Sequence, residues 1–179
     1  MNLKDLSIRA RVAYGALCLE KFLKVNSVDV MSKEWSLILE NIWEYTQIEK
    51  PGNWHYKMAE LTPSSVEFDA PFNLKEFEYF TEEEHDHLKK TYKCVGKSTK
   101  KIIELIFEIG TLDLYSSITD CSPRTLSMLE EILNIVEDNG LRIPSIDIFK
   151  EYHITTNKGW GNSFKRSDVV NDDDYITNC

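Results

Sequence analysis

Residues 32–46 read SKEWSLILENIWEYT, and this stretch decides the fold class. Its large apolar residues recur at steps of three and four, which is the spacing of one face of an α-helix. Ser32 precedes the run as a helix N-cap, and Pro51 ends it. The run holds Trp35 and Trp43, two turns apart on one face. We therefore predict an amphipathic helix whose tryptophans anchor it in a core, in preference to a ligand-binding box.

The same spacing recurs on both sides of that stretch. It predicts a first helix over about 7–25, with one apolar stripe that faces the core. Farther along, Thr81 as N-cap and Glu84 three positions later form a capping box, the strongest helix start in the chain. The helix that follows is predicted to reach about Ile109, with a weak point at Gly96 where it bends or breaks.

The rest of the chain also carries helix signals. Ser122 and Pro123 predict an N-cap and a first-turn proline, and the helix they begin is predicted to stop at Gly140 in a left-handed conformation. In residues 53–80 the periodicity fades, so short helical turns are expected there, including a short helix after Asn73. The sequence thus predicts an all-α fold, a single-domain bundle of about five to seven helices.

The end of the chain is expected to be irregular. Residues 1–170 are predicted to form the single helical domain, and residues 171–179 a polar, acidic, frayed tail. Gly-Trp-Gly at positions 159–161 lets the backbone turn with positive φ on either side of Trp160. Two interpretations remain open: the indole folds back onto the core as a clasp, or it is presented to a partner.

Composition places limits on the class of protein. The chain has 179 residues, of which 42% are hydrophobic and 28% charged, as in an ordinary globular domain. No apolar run approaches the roughly 18 residues that span a bilayer, and the start does not read as a secretory signal. The cysteines are widely spaced with no C-x-x-C pair, so reduced thiols and a cytoplasmic location are expected. They are Cys18, Cys94, Cys121 and Cys179, of which the first two are interpreted as core fillers.

The charge is negative and unevenly distributed. A net charge of −9 and a pI near 5.0 argue against nucleic acid as a direct ligand, because phosphate binding needs a basic surface. Residues 31–91 contain 13 acidic and 6 basic side chains, a net charge of −7. This excess either serves solubility alone or forms an acidic face that attracts a basic partner.

No catalytic motif, metal site or cofactor site is predicted. His85 and His87 point about 200° apart on a helix and cannot chelate one ion together. Glu83 and His87 could share a metal, but two ligands do not complete a site, and an exposed, capped first turn accounts for these residues. His55, expected in a loop, and His153 have no nucleophile at a recognisable spacing, so an enzyme built on either one remains only an alternative.

The second half of the chain resembles a family of small, acidic, helical bacterial proteins, the toxin-immunity proteins, including those of contact-dependent growth inhibition. The residues that carry the resemblance are EIGTLDLYSSITDCSPRTLSMLEEILNIVEDNGLRIPSIDIFKEY at 108–152 and GWGNSF at 159–164. The features that these residues share with the family occur in this order: a helix that ends in Gly, a Leu-Tyr-Ser loop, a helix capped by Ser-Pro, an I-P-x-I motif and a terminal G-W-G-x-x-F motif. The first helix, RARVAYGALCLEKF at 9–22, adds to it.

The resemblance implies a cytoplasmic protein that neutralises a cognate toxin domain by stoichiometric contact, with no cofactor and no membrane or nucleic-acid ligand. Many such toxins are nucleases with basic clefts, for which an acidic inhibitor competes. A helical adaptor or regulatory module that binds another protein is the alternative. The predicted partner-binding residues are Glu76, Glu78, Glu82, Glu83, Glu84, Asp86 and, as a second candidate, Trp160.

Overall fold

The computed structural model describes residues 1–49, 51–68, 72 and 77–170. Across these ranges the chain is a helical bundle of seven α-helices, with isolated pairing of Leu6 and His153 as its sole β-bridge. The α-helices are α1 (Ile8–Val25), α2 (Lys33–Glu44), α3 (Gly52–Leu61), α4 (Pro63–Val66), α5 (Glu82–Lys93), α6 (Lys97–Thr111) and α7 (Pro123–Asp138). Short 3-10 turns lie at Leu3–Asp5, Ile146–Phe149, Asn157–Gly159 and Arg166–Asp168. The predicted all-α fold is confirmed.

The first helix occupies the centre of the molecule. Its predicted bounds are confirmed, and the Ser7 hydroxyl caps it by accepting a hydrogen bond from the Ala10 amide at 3.3 Å. The prediction of one buried stripe is wrong, because 15 of the 18 residues of α1 are buried. The helix packs against α2, α6 and α7, which together cover most of its surface. Among the described residues, no helix is long and apolar enough to cross a membrane.

Small residues on α1 allow its neighbours to approach closely. Ala10, Ala13 and Ala16 are buried on α1, and Gly15 lies directly against α6. A Cβ added to Gly15 would lie 2.8 Å from Cγ1 of Ile106, closer than carbon atoms pack. The backbone contact between α1 and α6 therefore depends on the absence of a side chain at this position.

The second helix follows its apolar pattern. Trp35 and Trp43 are buried in the core, as predicted, and the Trp35 ring meets that of Tyr92 edge-on with centroids 6.2 Å apart. Ser32 precedes α2 without a side-chain capping bond, and α2 ends at Glu44, well before the proline expected to stop it. Core packing, and not capping chemistry, thus holds this helix.

The region after α2 is more regular than the sequence suggested. The helix α3 has 10 residues, and Trp54 on it is buried with its indole nitrogen donating to the Asn41 carbonyl at 2.6 Å. Only the single turn α4 matches the expected short helical turns. The short helix predicted after Asn73 lies outside the described residues.

The break predicted near Gly96 is confirmed. The helix α5 ends at Lys93, and Gly96 is the N-cap of α6, in an extended conformation. Leu88 and Tyr92 on α5 face the core, as do Ile102 and Ile106 on α6. Two helices therefore replace one long helix, and this break lets α5 lie against α2 and α4 while α6 packs on α1.

The C-terminal segment after α7 packs back onto the start of the chain. The predicted left-handed stop is present, with φ +73° at Gly140. Beyond it, the carbonyl of Tyr152 accepts from the Ser7 amide at 3.0 Å, and the Ile154 amide donates to Asp5 at 2.7 Å. Buried residues of this segment, up to Val170, belong to the same hydrophobic core as α1. The tail at 171–179 lies outside the described residues.

The cysteines only partly match their interpretation. Cys18 lies on α1 and is buried in the core, as expected. Cys94 is exposed, so its assignment as a core filler is wrong, because the helix ends before it and its side chain faces solvent. Cys18, Cys94 and Cys121 are all free thiols, whereas Cys179 is outside the described part.

Candidate partner-binding surface

The first turn of α5 is held by the predicted capping box. The Thr81 hydroxyl accepts from the Glu84 amide at 3.3 Å, and the Glu84 carboxylate accepts from the Thr81 amide at 3.1 Å. The Thr81 amide, followed by the Thr81 hydroxyl, which donates to the same carboxylate at 3.0 Å, lowers the pKa of Glu84, because both hydrogen bonds favour its charged form. Of the predicted partner-binding residues, Glu84 is thus already engaged within the protein.

One ion pair and one contact between a histidine and a carboxylate join α5 to the N-terminal end of α2. The Lys33 ammonium lies 3.6 Å from the Glu84 carboxylate, and His87 Nδ1 lies 3.4 Å from the Glu34 carboxylate. Both pairs are partly exposed, so each contributes little to stability on its own. The side of α5 that faces the core is set by its buried residues, His85, Leu88 and Tyr92.

Three carboxylates of this helix face solvent. Glu82, Glu83 and Asp86 are exposed, and none forms a hydrogen bond or ion pair with another described residue. They lie within two turns of the helix, so their charges reinforce one another. We name Glu78, Glu82, Glu83 and Asp86 the acidic surface.

A buried carboxylate positions the chain that leads into α5. Glu60 at the end of α3 is only 8% exposed, and its two oxygens accept from the amides of Glu78 and Tyr79 at 2.7 and 3.0 Å. The Glu78 side chain itself is exposed beside α5. No local sequence signal marks Glu60, because its partners are 18 and 19 residues away. Glu76 lies outside the described residues.

His85 lies beneath the acidic surface and not on it. The expectation of an exposed first turn is wrong for this residue, which is 5% exposed and packs edge-on against the Phe77 ring at 4.8 Å. Its Nδ1 atom is buried and has no hydrogen-bond partner. Burial, followed by the nearby charge of Lys89, lowers the pKa of His85 and favours its neutral form.

Exposed aromatic side chains flank the acidic surface. Tyr79 is 43% exposed one residue after Glu78, and Phe68 is 67% exposed just after α4, which packs against α5. Aromatic side chains are the usual anchors of protein–protein contact sites, and charged groups lie at the rim around them. This face of the molecule therefore combines apolar area with unpaired negative charge.

Trp160 belongs to another part of the molecule. Its flanking glycines adopt positive φ, +96° at Gly159 and +81° at Gly161, as predicted. The indole is partly buried against the core, and the Trp160 carbonyl accepts from the Arg9 amide at 3.2 Å. This segment is tied to the C-terminal end of α2, and the acidic surface lies at its N-terminal end. The 12 residues of α2 separate the two by roughly 18 Å. The structure does not bring the two candidates together.

Sequence reasoning missed the largest fully buried side chain of the described residues. The Arg11 side chain is fully buried in α1, and burial lowers the pKa of its guanidinium to about 10. It donates to five oxygen atoms at 2.6 to 3.2 Å, and the Asp120–Ser122 loop it supports has φ near +50° throughout. The acceptors are the carbonyls of Lys4, Leu6, Cys121 and Ser122 and the hydroxyl of Thr125.

A second buried network ties the C-terminal segment to the core. The Glu20 carboxylate accepts from the Trp43 indole nitrogen at 2.7 Å and from the Arg166 guanidinium at 3.1 and 2.9 Å. Arg166 also lies over the Trp43 ring, 6.0 Å from its centroid. Every group in this network serves to join elements, so it is structural.

The histidines do not assemble into a reactive group in the described ranges. His55 lies on α3, so its predicted placement in a loop is wrong; its ring stacks on Phe107 with centroids 5.7 Å apart. His153 Nδ1 lies 3.0 Å from the Thr155 hydroxyl, close to the bridge with Leu6. Within the described part, no three His, Cys, Asp or Glu residues are grouped to hold a metal ion.

Comparison with known proteins gives no match. No protein-family model, no curated protein and no solved structure matches the chain.

Proposed function

We propose that the chain is a cytoplasmic immunity protein, which neutralises a cognate bacterial toxin domain by stoichiometric contact through the acidic surface. The observation that supports this proposal is the set of solvent-facing carboxylates on α5, Glu82, Glu83 and Asp86, which form no hydrogen bond or ion pair with another described residue. Their carboxylate oxygens are therefore accessible to a basic partner. The resemblance of the second half to toxin-immunity proteins supplies the class of partner.

The arrangement suits fast capture followed by tight contact. Negative charge on an exposed, rigid helix attracts a basic surface over about a Debye length, and this raises the association rate. The flanking aromatics, Phe68 and Tyr79, supply the apolar area that slows dissociation. For a toxin that acts on nucleic acid, such a surface would compete with the phosphates of the substrate.

The experiment is co-expression with the toxic C-terminal domain encoded by the neighbouring reading frame, followed by co-purification and kinetics. Replacing Glu82, Glu83 and Asp86 by Lys should slow association by roughly tenfold or more and reverse its dependence on salt. A matched control has the same charge change at Glu137, Asp138 and Asp147, which are exposed elsewhere. It should leave the association rate nearly unchanged.

The outcomes separate the alternatives. Equal slowing by both triple variants would show that only total charge matters, and the acidic surface would be rejected. Absence of any complex with the toxin domain would reject the immunity function and favour an adaptor that binds another protein. Turnover by the purified chain that is lost in His55→Ala or His153→Ala would favour the enzyme alternative instead.

A further inference from the structure

An open groove lies between the turn at Leu3–Asp5, α7 and the segment that follows α7. It has a volume of about 600 Å³, and its lining is mainly apolar. The aliphatic residues that line it are Leu3, Leu126, Leu133, Ile143 and Ile146, of which all but Leu133 are partly exposed. Exposed aliphatic side chains that converge on one groove gain free energy when a second surface covers them.

Two hydrogen bonds from α1 hold the sides of this groove. The hydroxyl of Tyr14, which lines the groove, donates to the Pro144 carbonyl at 2.6 Å and so fixes the segment after α7. The Arg11 guanidinium donates to the Lys4 carbonyl at 3.2 Å and so fixes the turn at Leu3–Asp5. Both donor side chains are buried. The groove is thus formed before any partner binds, which limits the entropy that binding costs.

The groove carries one charge of each sign. Lys4 on the turn and Glu130 on α7 both line it, and both are exposed. Neither the Lys4 ammonium nor the Glu130 carboxylate forms a hydrogen bond or ion pair with another described residue, so the two do not pair with each other. A uniformly basic surface would be repelled by Lys4, and a uniformly acidic surface by Glu130. The groove therefore suits a partner that presents both charges in the reverse order.

We infer that this groove is the contact between two copies of the chain, in a two-fold dimer that pairs Lys4 of each copy with Glu130 of the other. A two-fold contact joins the same surface of both copies, so each cation can meet the anion of the other copy. The two unpaired charges of one groove thereby give two ion pairs in the dimer. Met1, which lines the groove and is 41% exposed, supplies a flexible apolar side chain for the facing groove. The groove shares no residue with the acidic surface, so this inference does not rest on the proposed function.

The test is the oligomeric state of the full chain, measured by sedimentation equilibrium over a range of concentrations. The unchanged chain should dimerise reversibly. Lys4→Glu and Glu130→Lys should each raise the Kd of the dimer about tenfold or more, because each places like charges opposite one another twice. The double variant Lys4→Glu/Glu130→Lys exchanges the two charges, so its Kd should return to within about threefold of that of the unchanged chain.

A mixture of the two single variants tests the two-fold arrangement directly. One copy with Lys4→Glu and one with Glu130→Lys restore both ion pairs between them. The mixture should therefore form a dimer of mixed composition that is tighter than the dimer of either variant alone. Leu126→Asp, which places a charge in the apolar lining, should weaken the dimer in every combination.

Matched controls separate a local effect from a change in total charge. Lys97→Glu on α6 and Glu40→Lys on α2 make the same charge changes at exposed positions outside the groove. Each should change the Kd of the dimer by less than about twofold. Melting temperatures measured at a concentration where the chain is monomeric show that each variant is folded.

Three results would overturn the inference. These are an unchanged chain that stays monomeric up to about 1 mM, a dimer that neither charge reversal in the groove weakens, and single variants that do not associate when mixed. An equal loss from Lys97→Glu and Lys4→Glu would also overturn it, because only the total charge would then matter.

Discussion

At the scale of single residues, Arg11 shows how a buried charge is held by neutral acceptors. It is fully buried, and its five hydrogen bonds all go to carbonyl or hydroxyl oxygens. The guanidinium stays charged because these oxygens replace its hydration. The same bonds hold the Asp120–Ser122 loop in its left-handed conformation, which costs energy in residues other than glycine.

We expect Arg11→Met to destabilise the protein by about 3–5 kcal/mol, because it leaves several buried carbonyls without donors. Urea unfolding followed by circular dichroism measures this loss. Arg124→Met provides the control, since Arg124 is an exposed arginine near the same loop and should change stability by less than about 0.5 kcal/mol. A loss of similar size in the two variants would contradict the structural role of Arg11.

His85 is a residue whose burial has a consequence for pH dependence. Its pKa is lowered by burial, so the folded chain takes up a proton at this site less readily than the unfolded chain. The stability that depends on neutral His85 is complete above its ordinary pKa of 6.5 and is lost as the pH falls toward the folded-state value. The groups that act on it electrostatically are Lys89, Asp86 and Glu82.

We therefore expect His85→Leu to flatten the acid side of the stability profile. Relative to the unchanged chain, the variant should gain up to about 1.4 kcal/mol per pH unit below pH 6.5, because its side chain binds no proton. Denaturant titrations across this range measure the difference. His87→Leu, at an exposed position of the same helix, should not flatten the profile; if it does so equally, burial of His85 is not the cause.

At the scale of elements, local chemistry predicted several helix ends, although not those of α2. The capping box at Thr81, the break at Gly96 and the left-handed stop at Gly140 each depend on a few adjacent residues, and each is confirmed. The central position of α1 was not predicted, because burial on all sides depends on helices contributed by distant sequence. Arg11 illustrates this, since its acceptor Ser122 lies 111 residues away.

The candidate surface also combines features that local sequence predicts with features that depend on distant sequence. Its negative charge and the engagement of Glu84 in a cap can be predicted from composition and from a short motif. The role of Glu60 cannot be predicted in this way. Glu60 accepts hydrogen bonds from the amides of Glu78 and Tyr79 and so joins α3 to the chain before α5.

At the scale of the whole molecule, the C-terminal segment closes the fold by joining both ends of the chain. The Ser7 amide donates to Tyr152, the Arg9 amide to Trp160, and the Phe164 amide to Thr46 at the end of α2. Buried Glu20 adds a charge-assisted pair with the partly exposed Arg166. A segment bound to α1 and α2 at so many points should open only when the bundle itself unfolds.

We expect the amide protons of Ser7, Arg9 and Phe164 to exchange with solvent only through global unfolding, at protection within about tenfold of Ile106 in the core of α6. Hydrogen exchange measured by NMR tests this.

Trp160→Ala should then lower the melting temperature while leaving affinity for a toxin domain intact, because the indole acts as a clasp. Fast exchange confined to residues 152–164, with weakened affinity and unchanged stability in Trp160→Ala, would instead show that this segment opens to present the indole. In that case recognition would lie at the C-terminal end of α2, and α5 would not be the principal contact.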